Sequence, residues 1–513
     1  MNTDEVARRA ADLMPSLLDD LARLVAIPSV AFPGYPAEPV ERMARETLDL
    51  VRAAGFAGAE LMSVPSGYPP IYAEVPGPPG SPVVVLYAHY DVQPAPASQG
   101  WSTDPWTATR KADGRIYGRG AADDKGGLIA HLGTMRVFEG RPPCTVRLIV
   151  EGMEETESNL PAFVLANPEL FTGDVVIVCD MGNLRPGEPV LTTTLRGDVA
   201  CVVTVSTLKH PLHSGVFGGP APDAMMALAR LLATLHDDKG DVAVAGVTRN
   251  PWPTAARDPS ESRSGAGGDG SVSRSGAGGY ASVVGSGGDR EASSSRLGAG
   301  LTAGDSRSGV DLGASESRAG ADLDQAEFRS GADLLDGVAL TGSGSLAARL
   351  WASPSISAIG VDMTSVADSS NVLVPTARAK LSMRIVPGTD PEQELDALIA
   401  HLTTHVPWGA HLEVERTKAA PPFTCRTDGP GYEAARRALE DAYGKPPSEA
   451  GNGASIPLLG TLQQVAPDAE FILWGPEDIA HSRIHASDES VDPTEIEKLI
   501  VAQVRLIARL SER

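Results

Sequence analysis

Four apolar runs in this chain are each followed by residues of the types that bind metal ions. PVVVLYAH ends at His89, TVRLIVEG is followed within three residues by Glu154 and Glu155, DVVIVCD ends at Asp180, and AEFILWG leads into the loop with His485. Continuous apolar runs of this length are typical of strands buried on both faces of a sheet. Helical patterns alternate with them, which favours an α/β fold, a sheet with helices on both faces. Because such sheets place their sites beyond the carboxyl ends of strands, we expect these residues to meet at one edge.

The segment YGRGAADDKGG, from Tyr117 to Gly127, adds a fifth candidate ligand. Its glycines allow a tight turn before the apolar stretch LIAHLGTMRVF, which we predict to be a helix. Asp123 and Asp124 lie in that turn, where a carboxylate can face a cation. Two imidazoles and three carboxylates exceed the needs of one ion, whereas two divalent ions bridged by a carboxylate use them all. This ligand set suits Zn²⁺, with Mn²⁺ or Co²⁺ as alternatives, and calcium would disfavour the histidines.

The adjacent pair Glu154 and Glu155 predicts two roles for neighbouring carboxylates. Glu155 can bind metal while Glu154 stays free, takes a proton from the attacking water and returns it to a leaving amine. Asp91 follows His89 by two residues and is expected to hydrogen-bond its imidazole. His481 competes with His485 for the ligand role, because both lie in the same loop.

The charge balance narrows the possible partners. The chain has 43 Lys and Arg against 66 Asp and Glu, and its net charge of -23 repels nucleic acid and anionic lipid. No stretch approaches 18 continuous apolar residues, and the N-terminus lacks the basic start and unbroken apolar core of a signal peptide. The four cysteines are scattered without a CxxC pair, as expected of reduced thiols. We therefore predict a cytoplasmic protein with no nucleic-acid or membrane partner.

The middle of the chain contains an eleven-residue repeat rich in Ser, Gly, Ala, Asp and Arg. Units such as SRSGAGGDGSV, SRSGAGGYASV and SRAGADLDQAE precede the related unit FRSGADLLDGV, which begins at Phe328. Glycine and serine oppose helix, and the units offer too little apolar surface to offset the entropy of ordering. We expect a disordered insertion at about 258–327, and an evolved binding segment is the alternative.

A second group of elements predicts a smaller α+β domain around this repeat. DVACVVTVST, APDAMMALARLLATLH, TARAKLSMRIVP, PEQELDALIAHLTTHV and HLEVER alternate strand and helix, and SISAIGVD adds another strand. This order matches the split βαβ, or ferredoxin-like, arrangement. We expect a discontinuous catalytic domain at 1–195 and 418–513, with a lid domain at 196–417 inserted between its parts.

Six segments together resemble a known enzyme family. They are AHYDVQP at 88–94, GRGAADDKGG at 118–127, EGMEETES at 151–158, CDMGN at 179–183, LHSGVFGG at 212–219 and IHASDESV at 484–491. The chain resembles the dinuclear zinc peptidases and deacylases that include acetylornithine deacetylase, succinyl-diaminopimelate desuccinylase, glutamate carboxypeptidase and carnosinase-like cytosolic dipeptidases. EGMEE and LHSGVFGG look most like the dipeptidase branch. The likeness implies a catalytic domain with a mixed sheet and an inserted lid that serves for dimerisation.

The resemblance also implies roles for the candidate ligands. His89 and Asp180 would bind separate ions, and Asp123 would bridge the two. Glu155 and His485 would complete the two ligand shells. Glu154 would be the general base, and the peptide bond after Asp123 would be cis, as in many relatives.

On the substrate side, the resemblance implies contacts from both domains. The lid would supply His213, which in dimeric relatives reaches the active site of the partner subunit, so a homodimer is expected. Arg384 in LSMRIVPG would bind the substrate carboxylate through both arms of its guanidinium. Asn371 and Ser455 fall where relatives contact the substrate backbone.

The implied activity is hydrolysis of a small peptide, a dipeptide with a free C-terminal carboxylate. Deacylation of an N-acyl amino acid is the alternative, with the same chemistry and a different pocket. A non-catalytic binding protein that kept the fold is a third reading, which the intact ligand set argues against. Glu157, Ala454 and Asp488 depart from the family's usual residues without removing a ligand, and they bear on substrate preference.

Overall fold

The computed structural model describes residues 2–156, 158–249 and 323–512. The helices are α1 (Thr3–Val25), α2 (Ala37–Ala53), α3 (Lys125–Val137), α4 (Leu160–Ala166), α5 (Ser214–Phe217), α6 (Ala224–Ala233), α7 (Gln325–Gly331), α8 (Pro391–His405), α9 (Pro430–Tyr443), α10 (Pro457–Val465) and α11 (Pro493–Ser511). The strands in the part before the repeat are β1 (Glu60–Leu61), β2 (Ile71–Val75), β3 (Val83–His89), β4 (Thr109–Arg110), β5 (Ile116–Tyr117), β6 (Thr145–Glu151), β7 (Val175–Val178), β8 (Gly182–Asn183), β9 (Val190–Leu195), β10 (Gly197–Ser206) and β11 (Leu212–His213). The strands after it are β12 (Ser355–Asp362), β13 (Val372–Leu373), β14 (Thr376–Ile385), β15 (His411–Ala420), β16 (Phe423–Thr424), β17 (Ser448–Asn452), β18 (Glu470–Leu473), β19 (Glu477–Asp478) and β20 (Ser490–Val491).

The larger sheet is mixed and has its parallel strands at the centre. Its order is β1-β2-β6-β3-β7-β18-β9-β16, with β17 also paired to β9. Strands β6, β3, β7 and β18 are mutually parallel, whereas β2, β9 and β16 contribute antiparallel pairs. The predicted mixed sheet is therefore confirmed, and the carboxyl ends of its four central strands lie at one edge.

Successive side chains of β3 pack into two different cores, which explains why nearly all of its sequence is apolar. Val84, Leu86 and Ala88 join one core, which also contains residues of α1, α2, α3, α9 and α11. Val85 and Tyr87 join the other core, with residues of α4 and α10. Because successive side chains of a strand point to opposite faces, a strand covered by helices on both sides needs apolar residues at every position.

The smaller sheet has the order β12-β14-β10-β15, and all of its pairs are antiparallel. Helices α6 and α8 bury Leu228, Leu231, Leu395 and Leu398 in a core with apolar residues of the sheet. The chain order is strand, helix, two strands, helix, strand, which confirms the ferredoxin-like lid. Asp390 caps α8 by accepting hydrogen bonds from backbone N–H groups, at 2.9 Å from Glu392 and 3.1 Å from Gln393.

The chain crosses between the two sheets at two neighbouring places. Strand β9 ends at Leu195 and β10 begins at Gly197, so Arg196 is the residue between the sheets. The return crossing lies between Ala420 and Phe423. A Cβ on Gly197 would lie 2.6 Å from the carbonyl oxygen of Ala420, so only glycine lets the two crossings pack this closely.

Most of the predicted repeat insertion lies outside the described residues. Its last part is described from Leu323, and helix α7 begins at Gln325. Asp324 caps this helix by accepting a hydrogen bond of 2.9 Å from the backbone N–H of Glu327, and Glu327 forms an ion pair with Arg185. Regular structure therefore starts before the expected boundary at about 327, because a capped helix and an ion pair order these residues.

A helix must be both long and apolar to cross a bilayer. Within residues 2–156, 158–249 and 323–512, none of the helices is both long and apolar enough to cross a bilayer.

Candidate metal centre

The residues expected at the sheet edge do come together there. His89 is the last residue of β3, and Asp180 follows β7 by two positions. Glu155 follows β6, Asp123 lies in the turn before α3, and His485 lies in the loop between β19 and β20. Gly120 has a φ of 78° in the turn, a left-handed conformation that favours glycine and brings Asp123 to the sheet edge.

Two groups of ligand atoms share one carboxylate. In the first, His89 Nε2 lies 2.9 Å from Asp123 Oδ1 and 3.9 Å from Asp180 Oδ1. In the second, His485 Nε2 lies 3.0 Å from Asp123 Oδ2 and 3.1 Å from Glu155 Oε2. Each group offers one imidazole and two carboxylates, and the two oxygens of Asp123 face different groups. This arrangement can hold two cations bridged by Asp123.

The grouping differs from the expected assignment of His89 and Asp180 to separate ions. Both residues belong to the same group, with Asp123 as its third member. The reason is the sheet order, since β3 and β7 are adjacent and parallel and their carboxyl ends lie side by side. The peptide bond between Asp123 and Asp124 is cis, as the resemblance implied.

The electrostatics of the two groups fit a divalent cation. Burial, and then the nearby charge of Asp123, raise the pKa of Asp180 well above its usual range. Burial and Asp123 also raise the pKa of Glu155. Like charges packed this closely in a buried place are costly unless a cation offsets them. Imidazole nitrogen with carboxylate oxygen is the donor set that zinc and similar metals take.

Glu154 is half-buried beside these groups and belongs to neither. Burial is the main cause that raises the pKa of Glu154 to about 8. Its backbone N–H donates to Asp91 Oδ1 and that of Glu155 donates to Asp91 Oδ2, both at 3.1 Å. One carboxylate therefore fixes the backbone of the Glu154–Glu155 pair, and a carboxyl group with a pKa near neutrality can both take and return a proton.

Asp91 hydrogen-bonds the His89 imidazole, as expected, but through its backbone carbonyl. The Nδ1 atom of His89 lies 3.1 Å from the backbone carbonyl oxygen of Asp91 and 3.5 Å from its Oδ1. The carboxylate is turned towards the two backbone N–H groups of the glutamate pair. The carbonyl can still orient the imidazole, because an acceptor at Nδ1 leaves Nε2 free for a metal.

Glu489 is a site residue that sequence reasoning missed. It is fully buried, and its carboxylate accepts hydrogen bonds from the backbone N–H groups of Gly120, Ala122 and Asp123 at 3.0, 3.0 and 3.2 Å. Arg119 forms an ion pair with it at 2.6 Å. In the sequence, the position of Glu489 four residues after His485 could have indicated that it lies near the site. No local sequence pattern indicates that it faces the turn before α3.

Asp124 was named only as a neighbour of Asp123, yet it also supports the site. Its Oδ2 accepts a hydrogen bond of 3.1 Å from the backbone N–H of His89. Asp124 is fully buried, and burial raises the pKa of its carboxyl group well above the usual range. The residue thus ties the turn before α3 to the end of β3.

The predicted substrate residues form two pairs in the structure. His213 lies on β11, which pairs with β13, and the carbonyl oxygen of Asn371 accepts a hydrogen bond of 2.8 Å from the backbone N–H of Ser214. Arg384 Nη1 lies 3.4 Å from Ser455 Oγ. His213 is exposed, and in the described part of the chain no hydrogen bond or ion pair joins it to the metal ligands.

His481 was the alternative to His485 as a metal ligand. His481 is exposed, and its backbone N–H donates to Asp478 Oδ1 at 2.7 Å. Neither ligand group found among the described residues includes it. His485 is half-exposed, with 52% of its side chain accessible, so solvent and small molecules reach the second ligand group.

Comparison with known proteins identifies the family. The model of peptidase family M20/M25/M40 matches residues 85–509, which include the whole candidate metal centre. The chain belongs to this family. The expected enzyme class, a metal-dependent peptidase, is thereby confirmed, and family and ligand groups together indicate divalent metal ions.

Curated M20 relatives support peptide hydrolysis. The cysteinylglycine-S-conjugate dipeptidase of Corynebacterium striatum is 34% identical over 435 residues, which are 83% of this chain and 81% of that protein. The Beta-Ala-His dipeptidase of Rattus norvegicus is 26% identical over 438 residues, covering 83% of this chain and 76% of that protein. The predicted function, metal-dependent hydrolysis of small peptides, agrees with both relatives.

A solved M20 structure shares the fold over the full length. Human carnosine dipeptidase 1 superposes with a TM-score of 0.76 at 22% sequence identity, and the match covers 100% of this chain and 99% of that one. At this identity the likeness supports the two-sheet architecture alone.

Proposed function

We propose that this M20 peptidase hydrolyses dipeptides with a free C-terminal carboxylate. The observation that carries the proposal is the pair of ligand groups joined by Asp123, with Glu154 half-buried beside them. The relatives add the substrate class, since one is named for cysteinylglycine conjugates and another for Beta-Ala-His. The C-terminal carboxylate is the feature that Arg384 would recognise.

We assign each catalytic step to residues of this chain. Two divalent ions, which we propose to be Zn²⁺, would supply Lewis acidity and make water a stronger acid. His89, Asp123 and Asp180 would hold one ion, and Asp123, Glu155 and His485 the other. Glu154 would take the proton of the attacking water and pass it to the nitrogen of the leaving amino acid. The Asp91 carboxylate would keep Glu154 in place by accepting a hydrogen bond from the backbone N–H of Glu154.

Substrate binding would use both sheets. Arg384 would bind the carboxylate as a bidentate partner, and Ser455 and Asn371 would contact the substrate backbone. We also propose a homodimer in which His213 completes the partner's site, because His213 is exposed and has no contact with the ligands of its own chain in the described residues. A cytoplasmic location would agree with four cysteines that are all free and buried.

The decisive experiment compares substrates and one variant. Purified protein with added zinc is assayed on Cys-Gly, β-Ala-His and N-acetyl amino acids. We expect turnover of a dipeptide and a loss of at least about a hundred-fold in kcat for Glu154→Gln, with the metal content unchanged, because general-base catalysis contributes that much. The matched control Glu139→Gln changes an exposed glutamate and should keep full activity.

Each outcome of this experiment has a meaning. Turnover of N-acetyl amino acids alone would favour the deacylase. Unchanged kcat in Glu154→Gln would contradict the general-base role, and no turnover of any substrate would contradict the proposed activity. Metal analysis should find two equivalents of zinc per chain; if manganese or cobalt restores more activity to chelated protein than zinc does, the assignment of zinc is wrong.

A further inference from the structure

A group of charged side chains surrounds the crossing between the two sheets. It consists of Arg196, Asp198, Arg384 and Lys418, which we call the crossing cluster. The Asp198 Oδ2 atom lies 2.9 Å from Lys418 Nζ and 3.8 Å from Arg384 Nη1. The cluster therefore holds three cations and one carboxylate, although the chain as a whole carries a net charge of -23. A local excess of positive charge in an acidic protein indicates a place that receives an anion.

Arg196 is the most buried cation of the crossing cluster, with only 7% of its surface accessible. Its Nε donates to the carbonyl oxygen of Gly453 at 3.3 Å. Its Nη1 donates to the carbonyl oxygen of Ser353 at 3.1 Å and to Ser355 Oγ at 3.2 Å. All of these acceptors are neutral, and no carboxylate of the described residues forms an ion pair with Arg196. The charge of Asp198 acts on Arg196 without a direct ion pair, and a buried guanidinium that lacks such a pair is costly in the free protein.

The neighbouring guanidinium adds to that cost. Burial, and then the charge of Arg384, lower the pKa of Arg196 to about 10. At neutral pH Arg196 is therefore still a cation and repels Arg384. Because Asp198 is already engaged by Lys418 and Arg384, a further anion would stabilise both guanidinium groups.

Both guanidinium groups flank the same short segment, residues 452–455. The backbone N–H of Arg196 donates to the carbonyl oxygen of Asn452 at 3.2 Å. A Cβ on Gly453 would lie 2.8 Å from Arg196 Nη2, so a larger residue would push the guanidinium away from the segment. Arg384 approaches the other end of the segment at Ser455.

We propose that Arg196 is a second cationic residue of the site that receives the substrate's C-terminal carboxylate. The inference rests on the proposed function, in which Arg384 binds that carboxylate and Ser455 contacts the substrate backbone. A bound carboxylate would add a second negative charge to a cluster in which three cations face Asp198 alone. Arg196 would therefore determine specificity for free C-termini, acting on binding and leaving the chemical step to other residues.

Calorimetry in the zinc-loaded Glu154→Gln protein separates binding from turnover. The probes are Cys-Gly and its C-terminal amide, which differ only in the charge of the carboxyl group. Adding Arg196→Met should weaken Cys-Gly binding about ten-fold and change amide binding less than about two-fold, since only the free acid gains from the extra cation. Arg196→Lys keeps the charge and should recover most of the lost affinity.

A control variant separates the loss of the Arg196 charge from a general effect of replacing an arginine. Arg437→Met removes an exposed arginine of α9 and should leave both affinities unchanged. An equal loss for acid and amide would overturn the proposal, because it would mean that Arg196 only ties the sheets together. Absence of Cys-Gly binding to the parent protein would overturn it too. The turnover assay of wild-type protein shows separately whether the dipeptidase function survives.

Discussion

At the scale of single residues, Glu489 organises the ligand that the two metal groups share. Its carboxylate accepts from the backbone N–H groups of Gly120, Ala122 and Asp123 and pairs with Arg119. Oriented backbone donors around one buried carboxylate fix the turn, and the turn fixes the direction of the Asp123 side chain. Residues that orient metal ligands commonly affect metal affinity by one to two orders of magnitude.

We therefore expect Glu489→Gln to weaken zinc binding at least about ten-fold. The change also leaves the Arg119 guanidinium buried without its partner, which should lower the free energy of unfolding by about 3 kcal/mol. Metal titration by calorimetry and denaturant unfolding measure the two effects, with Glu139→Gln as the exposed control. A Glu489→Gln protein with unchanged zinc affinity would rule out the positioning role.

At the scale of elements, helices α9 and α11 pack side by side and are joined by one carboxylate. Asp441 Oδ2 of α9 lies 2.9 Å from Arg505 Nε and 2.6 Å from Arg509 Nη2 of α11. Burial alone would raise the pKa of Asp441, but its hydrogen bonds to the two arginines lower it below the usual range. The charged form is therefore favoured in the folded protein.

A depressed pKa predicts how the stability from Asp441 depends on pH. Its contribution is present above the unfolded-state pKa near 4 and is lost as pH falls through the lower folded-state value. Asp441→Asn should reduce the free energy of unfolding by about 1 kcal/mol at pH 7, and the difference from wild type should shrink below about pH 4. Asp12→Asn, which breaks a pair exposed to solvent, is the control and should change little. A difference that persists at pH 2 would contradict the electrostatic origin.

At the scale of the whole molecule, the lid has an edge strand with exposed apolar residues. Strand β12 pairs only with β14 among the described strands, and Ile359 and Val361 on it are 59% and 44% exposed. Exposed apolar edges of this kind commonly mark association surfaces, because their unpaired backbone groups accept another strand. This strand is the surface that we propose joins two copies of the chain.

Light scattering should find wild-type protein as a dimer and the double variant Ile359→Asp, Val361→Asp as a monomer. Because His213 is proposed to serve the partner's site, the monomer should also lose at least about ten-fold in kcat/KM on dipeptides. Placing the same charge at Leu165, an exposed residue of α4, is the control and should leave the dimer intact. A wild-type monomer with full activity would refute the dimer and the shared site together.

The larger part of the fold could be predicted because its information is local. An unbroken apolar run such as that of β3 indicates burial on both faces, and the strand–helix order of the lid restricts its topology to few arrangements. The position of His89 and Asp180 at strand ends predicted where the site would be, since parallel strands end at one edge. Residue chemistry then predicted that the site would take divalent metal ions, and the identification as zinc stays a prediction.

The sequence by itself thus determined the fold class, the location of the site and its ligand types, all of which follow from short-range patterns. The tertiary structure decided which candidate ligands lie together in one group, because that depends on the sheet order that places β3 beside β7. It also decided the contacts of Glu489 and Arg196, whose partners Gly120 and Gly453 lie hundreds of residues away in the chain. No periodicity or spacing in the sequence predicts such contacts, because they form only when distant segments pack against each other.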